Sequence, residues 1–365
     1  MNATSQPLRV GIVGINPKKG WGRYSHVPAI QSLPDLKLAA VATRNETSAR
    51  AAAESFAVPH WFADPLAMVR SDAVDLVCVS VNVPAHRAIV LAALAAGKHV
   101  YSEWPLGRNL EESQEMAATA ARAGVHTAIG LQGRANPASR RARELVAQGA
   151  IGHPLAARVV ATTGGFGQAV PSDYAYFEDP SSGANLSAII GGHALDLMIF
   201  VLGAFSEVQA MTSIQFPTLR VTDTNESMKR IVPDHLLMLG RHANGCPASL
   251  EAIGGQPSPW PFSFEITGSA GRLALLGGHH HGYQVGALRL ERNGQPEPIP
   301  ERFVSDLTGP PLNLSELYAQ LARDIREDTR TVPDFAHAVR MTRLLDAISH
   351  AATTGTRQSS GDWPS

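Results

Sequence analysis

Two groups of residues in this sequence have the types and spacing to do chemistry. Near the N-terminus the apolar run Val10-Gly11-Ile12-Val13 leads into Gly14, Asn16, Gly20 and Trp21. A strand that feeds a glycine-bearing turn and then a helix aims backbone amides at a pyrophosphate, and Gly14 is the residue that allows the tight turn. The loop is irregular, because Asn16 stands where a second glycine is expected and extra residues precede Gly20. A second apolar run, Leu38 to Ala42, stops at Thr43-Arg44, where NAD-selective folds place an acidic residue on the ribose. A hydroxyl and a guanidinium suit a 2′-phosphate instead, so NADP is expected ahead of NAD. The second group is His193, Tyr174 and Tyr176, side chains able to exchange a proton with, or donate to, a reacting oxygen. Each also has a plainer reading: His193 as a core histidine bonded to backbone, and the tyrosines as packed aromatics. His279, His280 and His281 suggest a metal, but consecutive residues seldom converge on one ion, and no metal is expected.

The elements that must position these residues alternate strand and helix as far as Leu131. Leu8–Val13, Leu38–Ala42, Leu76–Val81, His99–Ser102 and His126–Leu131 are the strand candidates, several almost continuously apolar, as strands covered on both faces should be. Helices are expected over Glu46–Phe56, from Pro84 to a stop at Gly97, and from Asn109 to Gly124. Beyond Gln132, Pro137 opens another helix, and then short alternating runs suggest a half-covered antiparallel sheet, interrupted by a helix near Asn185–Leu202. Two helices, about Leu312–Asp328 and Asp334–Ala352, close the chain. The expected fold class is α/β: a dinucleotide-binding doubly wound domain over 1–131, an α/β domain on a largely antiparallel open sheet over 132–357, and a disordered tail over 358–365. A ligand would lie between the domains, at the carboxyl ends of the parallel strands. The loop Gly164–Gly183 is long enough to cover a site.

The 365 residues suffice for two cored domains, and a net charge of -1 with 17% charged residues offers no electrostatic reason for a nucleic-acid or membrane partner. No apolar run of spanning length and no secretory leader is read, which points to the cytoplasm. Cys78 and Cys246 are expected to be reduced thiols.

Asn82-Val83-Pro84-Ala85-His86, followed by Ala96-Gly97-Lys98-His99-Val100 and Glu103-Trp104-Pro105-Leu106, resembles the family of glucose-fructose oxidoreductase, inositol dehydrogenase and MocA-type proteins. Leu131-Gln132-Gly133-Arg134, Gly191-Gly192-His193-Ala194-Leu195-Asp196 and Gly268-Ser269-Ala270-Gly271 extend the likeness over almost the whole chain. The resemblance implies hydride exchange between NAD(P) and a sugar, polyol or related hydroxy or carbonyl compound. It implies cofactor contacts from Asn82, His86, Glu103, Trp104, Gln132 and Arg134, and a homodimer or homotetramer paired through the open sheet face. In that family a lysine before the proline, helped by Asp and His, moves the proton. Here Trp104 stands in the lysine's place and Ile189 in the aspartate's, so His193 is the member of the trio that remains. Trp104 would wall the nicotinamide side of a pocket, or simply fill space; with Trp260 and Phe262 it also suggests an aromatic carbonyl as substrate. His235 is read as belonging to a strand that faces the cleft. Lys19-Gly20-Trp21, His26-Val27-Pro28-Ala29-Ile30, Trp104 and Pro233-Asp234-His235-Leu236-Leu237 are similar to a branch of the family that regulates transcription without catalysis. A dinucleotide sensor acting through a protein partner is therefore the alternative.

Overall fold

The computed structural model describes residues 6–304 and 306–359. The chain divides into two compact units: one runs through Gly130 and takes in Phe303–Val339, and the other holds Leu131–Arg302 with the chain from Arg340 onward. Linear domain boundaries therefore miss the return of residues 303–339 to the N-terminal unit.

The first unit is built on six parallel strands: β1 (Leu8–Val13), β2 (Leu36–Ala42), β3 (His60–Phe62), β4 (Leu76–Val79), β5 (His99–Ser102) and β6 (Thr127–Ile129), ordered β3-β2-β1-β4-β5-β6. The order reverses between β1 and β4, which is where a doubly wound sheet opens a crevice for a ligand. Val10, Ile12, Val77, Cys78 and Val100 are fully buried, as strands covered on both faces require. Local chemistry sets the crossovers. Asn45 accepts the Ser48 amide at 2.9 Å to cap the helix Glu46–Phe56, and Asn109 accepts the Glu112 amide at 3.0 Å to cap Leu110–Ala123, which ends at left-handed Gly124. The returning helix Pro311–Glu327 buries Leu314, Leu317, Tyr318 and Leu321 and packs against Val27–Gln31. Pro333 then accepts the Ile129 amide at 2.8 Å, beside the edge strand β6.

The second unit has a nine-stranded mixed sheet, antiparallel except where Pro154–Thr162 runs parallel to Pro247–Ile253. The helix Pro137–Ala147 packs on the Gly192–Leu202 helix and on the strands Gly271–Gly277 and Leu288–Arg292. On the other face of the sheet Met211, Leu237 and Leu239 are exposed. The stretch Pro180–Leu202 does reach spanning length and apolarity, contrary to the sequence reading; its most apolar 18-residue window has a mean hydropathy of 1.6 and is 78% buried, as befits a core helix. The tail also departs from expectation: Gln358 and Ser359 pair with Val208 and Glu207 at the sheet edge, while 360–365 lie outside the described residues.

Candidate functional site

The glycine loop is shaped by contact. Gly14 has φ +92°, and a Cβ there would lie 2.2 Å from the Ser80 carbonyl oxygen and 2.5 Å from Val81, at the end of β4. Only glycine serves both needs. Asn16 folds the lengthened loop: its Oδ1 accepts the Lys18 amide at 2.8 Å and the Lys19 amide at 3.3 Å. Gly20, at φ +93°, meets nothing within 4 Å, so backbone conformation and not space selects it. The π-helical turn Gly22–His26 begins after Trp21 with no side-chain cap on its first amides. Among its amides, that of Tyr24 donates to the Gly20 carbonyl at 3.3 Å.

At the end of β2 the Thr43 and Ser48 hydroxyls lie 2.6 Å apart. Arg44 is exposed and makes no hydrogen bond or ion pair among the described residues, so its guanidinium is available to an anion. Asn82, just past β4, is exposed and caps nothing. His86 has a different task from the one expected of it. It is 1% exposed, with Nε2 3.0 Å from the Val81 carbonyl and Nδ1 3.2 Å from that of Leu106, so it clamps two loops instead of reaching a cofactor. Burial pushes its pKa below the usual histidine value.

Glu103 is likewise committed within the protein. Its Oε1 lies 2.9 Å from Nε2 of the fully buried His26 and accepts the Tyr101 hydroxyl at 3.1 Å. His26 Nδ1 is 2.8 Å from the Tyr318 hydroxyl and 3.4 Å from Cys78 Sγ, and the Tyr101 and Tyr318 rings stack at 4.9 Å. Burial alone would lower the His26 pKa, but Cys78 and the Glu103 carboxylate outweigh it and raise the pKa to about 10. Burial pushes Glu103 up, and His26, the Trp21 indole and Tyr101 together hold it below the ordinary carboxylate value. The indole N–H of Trp21 contributes without completing a well-formed hydrogen bond. The Glu103–His26 ion pair fastens the turn after the glycine loop to the loop after β5. Trp104 follows it, 6% exposed.

In the second unit His193 is the second residue of the helix Gly192–Leu202 and is 5% exposed. Its carbonyl accepts the Tyr283 hydroxyl at 2.6 Å, and Tyr283 stacks on Phe262 with centroids 4.0 Å apart. A Cβ at Gly133 would lie 2.7 Å from that hydroxyl, so the turn Gln132–Ala135 fits closely under the same ring. Arg134 grips Asp196 with two hydrogen bonds, one of them 2.8 Å, and its guanidinium sits 5.1 Å from the Phe200 ring centre. Arg134 thereby clamps the helix one turn beyond His193. Gln132 is 2% exposed.

Tyr174 and Tyr176 lie in the turn Ser172–Glu178, with their ring centres 5.7 and 4.5 Å from that of Phe177. Burial raises the Tyr176 pKa above the ordinary phenol value, which disfavours a role as a base. Their loop is tied down by Arg230, buried with Glu178 and Asp234: it donates to Glu178 at 2.9 Å, to Asp234 at 2.8 Å and to the carbonyls of Phe166 and Gly167. His235 lies on the uncovered sheet face, 3.1 Å from Glu251, instead of facing a cleft. In the histidine run, the His281 amide donates to His279 Nδ1 at 3.1 Å and His280 meets the Trp260 ring edge-on. Sequence reasoning passed over Tyr283, Arg230 and the His26 ring; only His26 lay in a motif singled out beforehand.

Residues 8–131 match the oxidoreductase family with the NAD-binding Rossmann fold, and residues 137–277 match the C-terminal domain of Gal80p. The dehydrogenase AclE of Aspergillus oryzae is 29% identical over 96% of this chain and 98% of its own. A dTDP-3,4-didehydro-2,6-dideoxy-alpha-D-glucose 3-reductase of Streptomyces violaceoruber is 27% identical over 96% of each. The galactose/lactose metabolism regulatory protein GAL80 of Saccharomyces cerevisiae is 29% identical over 74% of this chain and 67% of its own. The crystal structure of a super-repressor mutant of that Gal80p superposes with a TM-score of 0.86 at 24% identity, covering 97% of this chain and 98% of the other.

Proposed function

Since the chain carries an NAD-binding Rossmann domain of the oxidoreductase family followed by a C-terminal domain of the Gal80p type, we propose that it is an NADP-linked oxidoreductase acting on a sugar, polyol or related hydroxy or carbonyl compound. The dinucleotide supplies a hydride donor or acceptor. The turn at Gly14 and the amides that open Gly22–His26 hold its pyrophosphate, and Arg44 with the Thr43 and Ser48 hydroxyls receives a 2′-phosphate. His193 is the proton-transfer residue. It takes the proton of a secondary alcohol during oxidation and returns it during reduction, at a ring nitrogen whose ordinary pKa lies near neutrality.

The observation that carries this reading is the fixed presentation of His193. Tyr283 holds its carbonyl, and the Arg134–Asp196 pair locks the next turn of its helix. A base needs a defined geometry, and these two contacts fix the stretch of backbone from which His193 projects. The test is NADPH binding followed by a scan of reduced-nicotinamide absorbance against sugars, polyols, keto sugars and aromatic carbonyls. Turnover that falls steeply in His193→Ala, with NADPH binding kept, supports the role; equal turnover removes it.

One observation favours a second reading. Trp104, buried where the family lysine would stand, cannot exchange a proton, and a regulatory protein is among the relatives. In that reading the chain senses dinucleotide and signals to a protein partner, with tight NADPH binding and no turnover on any compound in the panel. Self-association through the uncovered sheet face around Met211, Leu237 and Leu239 belongs to either reading.

A further inference from the structure

Gln132, Gly133 and Arg134 are consecutive, and two of them are consumed in holding the His193 helix. Gly133 makes room for the Tyr283 ring whose hydroxyl bonds the His193 carbonyl, and Arg134 clamps Asp196. Gln132 has no such partner. Its side chain is 2% exposed, its Oε1 is buried, and no hydrogen bond to it forms among the described residues. A buried amide oxygen with no donor is unfavourable, and natural proteins retain such groups where function, a ligand or an ordered water accounts for them. A turn serving only to clamp the helix would be better off with leucine or methionine at this position, since both fill similar volume and leave nothing unsatisfied.

We propose that Gln132 is a specificity-determining residue whose amide oxygen accepts a hydrogen bond from a substrate hydroxyl, on the turn that packs against the His193 helix. The inference rests on the oxidoreductase reading and deepens it, because it assigns the substrate a second hydroxyl besides the one that reacts. Such a site rejects analogues lacking that hydroxyl, because the buried oxygen would then remain unpaired. The same donor chemistry could come from the carboxamide of the nicotinamide, so the experiment must separate the two.

Thermal melts of wild type, Gln132→Leu and Gln132→Met, each alone, with NADPH, and with D-glucose and its singly deoxygenated analogues, provide the test. Without ligand, both variants should melt above wild type by about 2 °C, since an unsatisfied acceptor has been removed. The shift that NADPH gives should be unchanged. Wild type should be stabilised by D-glucose and less by one deoxygenated analogue, whereas in both variants the two sugars should become equivalent. Ligand-free variants that melt below wild type would overturn the proposal, because the amide would then be satisfied within the protein. A variant that loses the NADPH shift and keeps the sugar discrimination would assign the donor to the cofactor and overturn it as well. If no sugar stabilises wild type while both variants melt higher, the sugar reading fails and the vacant acceptor stands, so the two failures are distinguishable.

Discussion

Titrating the His26–Glu103 pair tests the account of the N-terminal unit quantitatively. His26 is fully buried, and its pKa is raised from 6.5 to about 10 by Cys78, 3.4 Å away, and by Glu103, 2.9 Å away. A raised histidine pKa contributes stability that is fully present below the unfolded value of 6.5 and is lost as pH climbs toward 10. At about pH 9 the loss should amount to a few kcal/mol, on the order of 3, since each unit is about 1.4 kcal/mol. The exact folded value matters little while it stays above the pH of the measurement. Denaturant unfolding followed by tryptophan fluorescence suits the purpose, since Trp21, Trp61 and Trp104 all belong to this unit. Glu103→Gln removes the carboxylate and leaves Cys78, so it should cost about 3 to 5 kcal/mol near neutrality and make the alkaline slope shallower. NADPH affinity should weaken in the same variant, because the pair fastens the turn that follows the glycine loop. A wild type whose stability is level from neutrality to pH 9, or a variant with an undiminished slope, would refute the reasoning.

Arg44→Ala should weaken NADPH binding by roughly tenfold or more while leaving NADH nearly unchanged, since a charged hydrogen bond to phosphate contributes about 1.5 to 3 kcal/mol. Parallel fluorescence titrations check it, and equal losses for both nucleotides would remove Arg44 from the 2′-phosphate. Glu178→Ala should destabilise the C-terminal unit by about 3 to 5 kcal/mol, because it leaves Arg230 buried with half its counter-charge. Chemical denaturation measures this, and a loss under about 1 kcal/mol would mean that the cluster is open to water.

The parallel sheet was legible because continuous apolar strands, asparagine caps and glycine stops are local signals, and each of them produced the expected element. Strand β3 was not, because His60–Phe62 is short and half-exposed and has no periodicity to read. The returning helix Pro311–Glu327 was visible as a helix, but no local feature says which unit its apolar face covers. The site was legible as positions and not as directions. His86, Glu103 and Arg134 fall in the expected motifs, yet their polar atoms turn toward Val81 and Leu106, His26, and Asp196. Spacing along the chain cannot fix that choice, which depends on partners 62 residues away for Arg134 and farther still for Glu103. His235 went to the wrong face because alternation gives a strand two faces and does not say which one the helices cover. Tyr283 left no trace at all, since its task is one bond to a backbone carbonyl 90 residues distant.

The most direct test of the central claim is single-turnover kinetics with NADPH bound, following nicotinamide oxidation for wild type and His193→Ala across a panel of keto sugars and other carbonyls. The account predicts that at least one compound is reduced by wild type and that the variant is slowed by roughly 100-fold or more with NADPH affinity unchanged. Tight NADPH binding with no oxidation by wild type against any compound would contradict it and give the regulatory reading its place.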